Sequence, residues 1–149
     1  MKLLIQRVSQ ASVCIDDTCF GRINSGLLIF IGIGVNDTIA DIKYLARKVS
    51  KLRVFEDSDN KINYSLTESN GQILLVSQFT LYGDCSNSNR PSFSSAALAD
   101  KGELFYNNFI IELKELGINP VLGEFGANMQ VELINDGPMT LLLESEGRT

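Results

Sequence analysis

Gly26-Leu27-Leu28-Ile29-Phe30-Ile31-Gly32-Ile33-Gly34-Val35 is the longest apolar run in the chain, and its reading decides the fold. A strand with one wet face alternates polar and apolar residues, whereas a run without interruption suits a strand covered on both faces. A membrane span would need about 20 apolar residues, far more than this run supplies. Leu27 to Val35 is therefore predicted to lie at the centre of a sheet, entered through the turn residues Asn24-Ser25-Gly26.

Outward from that strand, the elements that must cover it can be read in turn. Before it, Lys2 to Asp16 is rich in Leu, Ile and Val without a helical stripe, so it reads as extended chain with a bend at Ser9 to Ser12. Asp16-Asp17-Thr18 supplies turn chemistry, and a return strand around Cys19 to Ile23 completes a hairpin. After it, Ile39, Ile42, Leu45, Ala46, Val49 and Leu52 recur at three and four, with Thr38 placed to cap and Asp41 in the first turn, which predicts an amphipathic helix. Its Lys43, Arg47, Lys48 and Lys51 form a basic face, most simply a solvated surface, with an RNA backbone contact as the lesser alternative.

Asp57 to Lys61 reads as a polar turn, Ser65 to Gly71 as a loop, Gln72 to Phe79 as a strand, and Leu81 to Arg90 as a long irregular segment. A second helix is expected from about Asp100 to Leu116, with Leu104, Phe105, Phe109, Leu113 and Leu116 on one side, Gly102 weakening its start and Gly117 ending it. Val121 to Phe125, Met129 to Ile134 and Met139 to Glu144 read as strands, the last two joined through Asn135-Asp136-Gly137-Pro138. No repeat or linker divides the order, so residues 1–149 are expected to form a single α/β domain with much antiparallel sheet.

Composition narrows the chemistry. The chain has no His, which excludes a Ser-His-Asp triad, a Cys-His pair, a His-ligated metal and an imidazole base. Cys14, Cys19 and Cys85 lack a C-x-x-C spacing, so reduced thiols in a cytoplasm are expected, with no metal site and no cofactor. Thirteen Lys and Arg against eighteen Asp and Glu give a net charge of −5, so a nucleic-acid partner would have to be held locally rather than by a general basic surface. Gln6 and Arg7 cut the N-terminal apolar run short of a signal peptide, and no membrane partner is expected.

Two polar segments interrupt this background. Ser77-Gln78-Phe79-Thr80 places two hydroxyls and an amide at the end of an apolar strand, where polar groups are either capped locally or offered to a ligand. Asn135-x-Gly137-Pro138-x-Thr140, taken alone, reads as a turn. Together, in this order and at this chain length, they resemble the two signature motifs of the D-aminoacyl-tRNA deacylases. The likeness extends to Gln6-Arg7-Val8, Gln10-Ala11-Ser12-Val13, Gly26-Leu27-Leu28, Arg90-Pro91-Ser92-Phe93 and Phe125-Gly126-Ala127-x-Met129-Gln130-Val131. It departs at Asn87-Ser88, where family members commonly carry a basic residue followed by Gly.

The resemblance implies a layered β/β/α sandwich with largely antiparallel sheets and two main helices, assembled as a homodimer. It implies hydrolysis of the ester bond of D-aminoacyl-tRNA, with L-aminoacyl groups rejected and glycyl-tRNA admitted. Ser77, Gln78, Phe79 and Thr80 match the strand end that lines the pocket and carries the catalytic positions. Gly137 and Pro138 match a cis motif that enters the partner's site and screens chirality. Phe125 and Met129 match positions flanking the 3′ terminal adenosine, and Arg7 matches a residue holding the Gly-Pro segment. Thr80 is the natural candidate nucleophile, yet no base can be named beside it. A different small-ester hydrolase, a non-catalytic tRNA-end binding module and a purely structural dimer remain open from the residues alone.

Overall fold

The computed structural model describes residues 1–146. Its frame is the strand β3 (Gly26–Gly32), buried along its length apart from a partly covered Phe30. Leu27, Ile29 and Ile31 enter one apolar cluster and Leu28 a second on the opposite face. The continuous apolar run thus does what its composition predicts. It ends at Gly32 rather than Val35, and Gly34 continues through a bridge to Ala96.

β1 (Lys2–Ile15) runs antiparallel to β3 over Lys2 to Val8 and then to β2 (Thr18–Ile23) over Ala11 to Ile15. Asp16 and Asp17 both adopt positive φ, which gives the tight turn of that hairpin the twist its strands need. In place of the expected bend at Ser9 to Ser12, the strand continues through an irregularity between Val8 and Gln10. Leu3 and Ile5 pack into the first cluster, and Val8, Ala11 and Val13 into the second. That irregularity lets one strand serve both faces.

β6 (Gln72–Ser77) lies parallel to β3, and β7 (Val121–Leu122) parallel to β6. Between β3 and β6 stand α1 (Ile39–Lys51) and a short hairpin, β4 (Phe55–Glu56) with β5 (Ile62–Tyr64), that flanks the predicted polar turn and was too short to show a strand period. α2 (Ala99–Glu115) packs with α1 over the first cluster. The stripes are narrower than the spacing suggests. Ile39, Leu104 and Leu116 are exposed, while Tyr106 and Ile110 join Phe105, Phe109 and Leu113 inside. Helices on one face and curled sheet on the other give the layered α/β architecture, mostly antiparallel, that the resemblance implies. Among the described residues no helix is long and apolar enough to cross a membrane.

Two further expectations are corrected. The strands expected at Met129 to Ile134 and Met139 to Glu144 are one strand, β8 (Gln130–Glu144), paired to β1 at both ends. Asn135 to Pro138 is an excursion within that strand and not a reversal. Cys14 and Cys19 form a disulfide rather than remaining reduced, because the β1–β2 register sets them opposite each other with Cα atoms 3.9 Å apart. Cys85 is free and exposed.

A buried polar knot ties the ends of these elements together. The Met1 ammonium is bonded to the Asp37 carboxylate and donates to Ser145 Oγ at 2.8 Å. Asp37 also accepts from the Gly34 N–H at 2.6 Å and from the Tyr82 hydroxyl at 3.4 Å. Burial, chiefly, and then the Asp37 charge push the Tyr82 phenol well above its ordinary range, so it remains a neutral donor. Removing one partner of a buried pair leaves the other charge uncompensated, at a cost of about 3–5 kcal/mol. For a domain of this size each kcal/mol moves Tm by about 2–4 °C, so Asp37→Ala should lower it by roughly 10 °C. A loss below about 2 °C in a thermal melt would show that the ammonium is not dependent on Asp37.

Candidate functional site

The last residues of β6 pass directly into a 3₁₀ turn, Phe79–Tyr82. Gln78 N–H donates to Ile31 O at 2.8 Å, which holds the strand end against β3, and Leu81 N–H then turns back to Gln78 O at 3.3 Å. The N–H groups of Phe79 and Thr80 open this turn, where no preceding turn exists to accept them. They have no acceptor among the described residues.

This strand end forms one wall of a cavity of about 600 Å³. Ser77, Gln78 and Phe79 line it from β6 and the turn, Phe93 packs edge-on against Phe79 at 5.1 Å, and Ala97 to Ala99 with Gly102 line it from the start of α2. Phe125 to Met129 close the opposite side. Its size is that of an ordinary small-molecule site. Its polar side chains are Ser77, Gln78 and Asn128, and no Asp, Glu, Lys or Arg belongs to the wall. Thr80 is exposed beside it, its Oγ1 accepting from Gln78 Nε2. An amide donor on that oxygen cannot remove its proton.

Gly102, which weakens the helix start in sequence terms, has a packing reason. A Cβ there would stand 3.2 Å from Phe125 Cζ. The missing side chain lets the Phe125 ring approach α2, where Tyr106 lies 5.8 Å away by ring centroids. The Tyr106 hydroxyl donates to Leu75 O at 3.1 Å, and burial pushes its pKa up to about 12, so it keeps its proton and pins α2 to β6.

A second group of residues is organised around Arg7. Arg7 is 5% exposed, and its guanidinium lies below the excursion of β8. Nη1 donates to Val54 O at 2.7 Å and Nε to Asp136 O at 3.1 Å, with the carboxylates of Asp136 at 3.4 Å and Glu56 at 3.5 Å. Between the pairs Gln6 with Thr140 and Val8 with Asn135, the residues Asp136, Gly137, Pro138 and Met139 all stand opposite Arg7 alone. Asn135 closes the base of this projection by donating through Nδ2 to Arg7 O at 3.0 Å and Met139 O at 2.9 Å. Gly137 has φ +126°, a conformation that favours glycine, and a Cβ there would lie 2.8 Å from Arg7 Nη2. The Gly137-Pro138 peptide is cis, and both residues are exposed.

The structure therefore sorts the residues singled out in the sequence into two sets. Ser77, Gln78, Phe79, Phe125 and Met129 meet in the cavity, with Thr80 bonded at its edge. Arg7, Gly137 and Pro138 form the separate projection and are not part of that cavity's wall. Sequence reading missed the roles of Phe93, Asn128, Gly102, Glu56 and the Val54 carbonyl. A glycine early in an otherwise helical stretch was the available signal for Gly102, whereas a backbone carbonyl carries none.

The model of the D-Tyr-tRNA(Tyr) deacylase family matches residues 4–144. A D-aminoacyl-tRNA deacylase of Thermotoga petrophila is 50% identical over 145 residues, covering 97% of each chain. One of Shouchella clausii is 49% identical over 146 residues, 98% of this chain and 100% of the relative. Among solved structures, one described as c-Myc DNA Unwinding Element Binding Protein superposes with a TM-score of 0.91 at 38% identity, over 97% of this chain and 99% of that one. A match over nearly all of the described fold, together with relatives of the same length at half identity, means that this chain belongs to the D-Tyr-tRNA(Tyr) deacylase family.

Proposed function

We propose that the chain hydrolyses the ester of D-aminoacyl-tRNA to free D-amino acid and tRNA, rejects L-aminoacyl groups, and admits glycyl-tRNA. The observation that carries this reading is a cavity of nucleoside size whose wall holds apolar rings, two hydroxyl or amide groups from the β6 end, and no ionisable side chain. An aminoacyl ester is already labile, so catalysis needs a positioned water and stabilisation of the developing oxyanion more than a strong nucleophile. The unpaired N–H groups of Phe79 and Thr80 are suited to that oxyanion. The neighbouring ribose hydroxyl can take part in proton transfer, so the protein's lack of His is no obstacle. Phe125 and Met129 give the adenosine apolar surfaces to pack against.

In this reading Gly137 and Pro138 act as the chiral screen from a second copy of the chain. Their exposure, and their position outside the cavity of their own chain, support it. A rigid wall discriminates by clash, which is a stronger device than a weak attraction. Glycine has no side chain to clash and passes. Such an activity belongs with translation, in the cytoplasm.

Incubation with D-tyrosyl-tRNA and L-tyrosyl-tRNA should release the D-amino acid alone; equal hydrolysis of both, or of neither, would end the proposal. Because Thr80 Oγ1 accepts an amide hydrogen bond and has no base, Thr80→Ala should lose less than about tenfold in kcat, whereas removing a true nucleophile costs on the order of 10⁶. A trapped acyl-enzyme on Thr80 would contradict this. Arg7→Met should still unfold cooperatively, yet its ratio of D to L hydrolysis should drop by about tenfold or more as the projection loses its clamp, roughly 1.4 kcal/mol of discrimination. A parental ratio would show that the Gly-Pro segment holds its shape without Arg7.

A further inference from the structure

Arg47, Lys48 and Lys51 of α1, together with Arg53 just beyond it, line an open groove of about 360 Å³ with Tyr44 and Leu52. These are four of the chain's thirteen Lys and Arg, concentrated within one short stretch of a protein whose net charge is −5. All four are exposed. No carboxylate among the described residues lies within 4.0 Å of any of them, whereas Lys43, one turn before Arg47 on α1, is paired with Glu112 at 3.9 Å. Glu68, whose carboxylate feels the Arg53 charge, is engaged by the N–H and hydroxyl of Ser65 at 2.8 and 2.7 Å.

Such a cluster opposes its own formation. Arg47 and Lys51 are four residues apart on the helix and Lys48 and Lys51 three apart, spacings at which like charges repel. The helix dipole offsets this for Lys48 and Lys51 in the last turn, but it does not account for Arg53 past the end, and it weakens toward Arg47 at the edge of that turn. Clustered cations without protein counter-charges are what a polyanionic backbone requires, since each phosphate neutralised releases condensed counterions. Location adds the second argument. Arg53 directly precedes Val54, whose carbonyl receives Arg7 Nη1, while Arg7 Nε holds Asp136 O at the root of the Gly137-Pro138 projection. The groove and the projection are consequently tied to each other through one buried side chain.

We propose that this groove binds the phosphodiester backbone of the RNA substrate close to its aminoacylated end, and that it is supplied by the same subunit that supplies Gly137 and Pro138. The identity of the RNA rests on the function proposed above. Phosphate contacts of this kind fix position without reading sequence, so discrimination stays with the cavity and the projection.

The test is binding of deacylated tRNA to the full-length protein over a range of salt concentrations, comparing Arg47→Gln/Lys51→Gln with Lys61→Gln/Lys114→Gln, which removes the same charge from exposed sites outside the groove. Loss of two phosphate contacts should weaken binding about tenfold or more at low salt and reduce the slope of log K against log salt by roughly 1.4 to 1.8. The control pair should leave both near the parental values. Equal losses in the two pairs, or no loss in either, would overturn the proposal. So would parental tRNA affinity accompanied by lost binding to vesicles of anionic lipid. Should the groove pair not fold, Lys48→Gln alone should reduce the slope by about 0.7 to 0.9, and an unchanged slope would equally overturn it. Failure of the parent protein to hydrolyse D-aminoacyl-tRNA would remove the proposed function. Hydrolysis with an unchanged KM in the groove variants would remove only the groove.

Discussion

A guanidinium buried to 5% exposure has to find acceptors, and the arrangement around Arg7 follows from that requirement. Its donors reach two carbonyls, Val54 and Asp136, from segments far apart in sequence, and two carboxylates complete its surroundings. To deliver Asp136, β8 must leave the ladder opposite one residue of β1 and rejoin it at Thr140. To deliver Val54, the chain leaving α1 must enter the β4–β5 hairpin at that height. One buried charge thus gathers the end of the first helix, an accessory hairpin and the projecting segment of β8. The position of Arg7 itself comes from β1, whose Leu3 and Ile5 face the same apolar cluster that Val54 joins.

The cavity and the separate projection differ in physical character. The cavity wall is built from neutral side chains, so its own electrostatics come from backbone dipoles. Preorganised N–H groups stabilise charge without having to reorganise when it appears, and an apolar surround strengthens them. The projection is the charged, heavily bonded part, yet its bonds point inward to Arg7 and Asn135 and leave the Gly137-Pro138 tip exposed. No side chain belongs to both the cavity wall and the Arg7 clamp.

What was legible in the sequence was whatever periodicity or local chemistry expresses. The uninterrupted run in β3, the three-and-four spacing of α1 with Thr38 donating to Asp41 at its start, and the Asp-rich hairpin turn all formed as their residues require. Extent was less legible. Ile39, Leu104 and Leu116 are apolar residues on stripes that outrun the surface available to cover them. Asn135 to Pro138 looked like a turn because Gly-Pro chemistry is the same whether the chain reverses or merely bulges; only pairing with β1, remote in sequence, decides which. The disulfide had the same character, since Cys14 and Cys19 become partners through a register that an irregularity at Val13 and Cys14 adjusts. The family motifs singled out candidate residues as a set, but which of them share a cavity depends on the tertiary fold.

If, as proposed, the Gly137-Pro138 tip excludes L-aminoacyl groups, it has to be stiff more than adhesive, and the bonding at its root meets that demand. Such a screen would act by clash, and a clash discriminates only where the wall does not yield. A free loop of this length would move on the timescale of binding, but here both ends are held in a ladder and the root is closed by Asn135 bonding to either side. Thr140 adds a further link, donating to Asn135 Oδ1 at 3.4 Å while accepting from Gln6 Nε2 at 3.2 Å. The amide of Asn135 thus has both its donor and its acceptor engaged, and it cannot rotate without losing bonds to two strands. Ser, with a shorter side chain and one hydroxyl, could not span Arg7 O and Met139 O at once. Rigidity of the tip is accordingly a property of the β1–β8 ladder and its polar base, transmitted to residues that themselves contribute little more than shape.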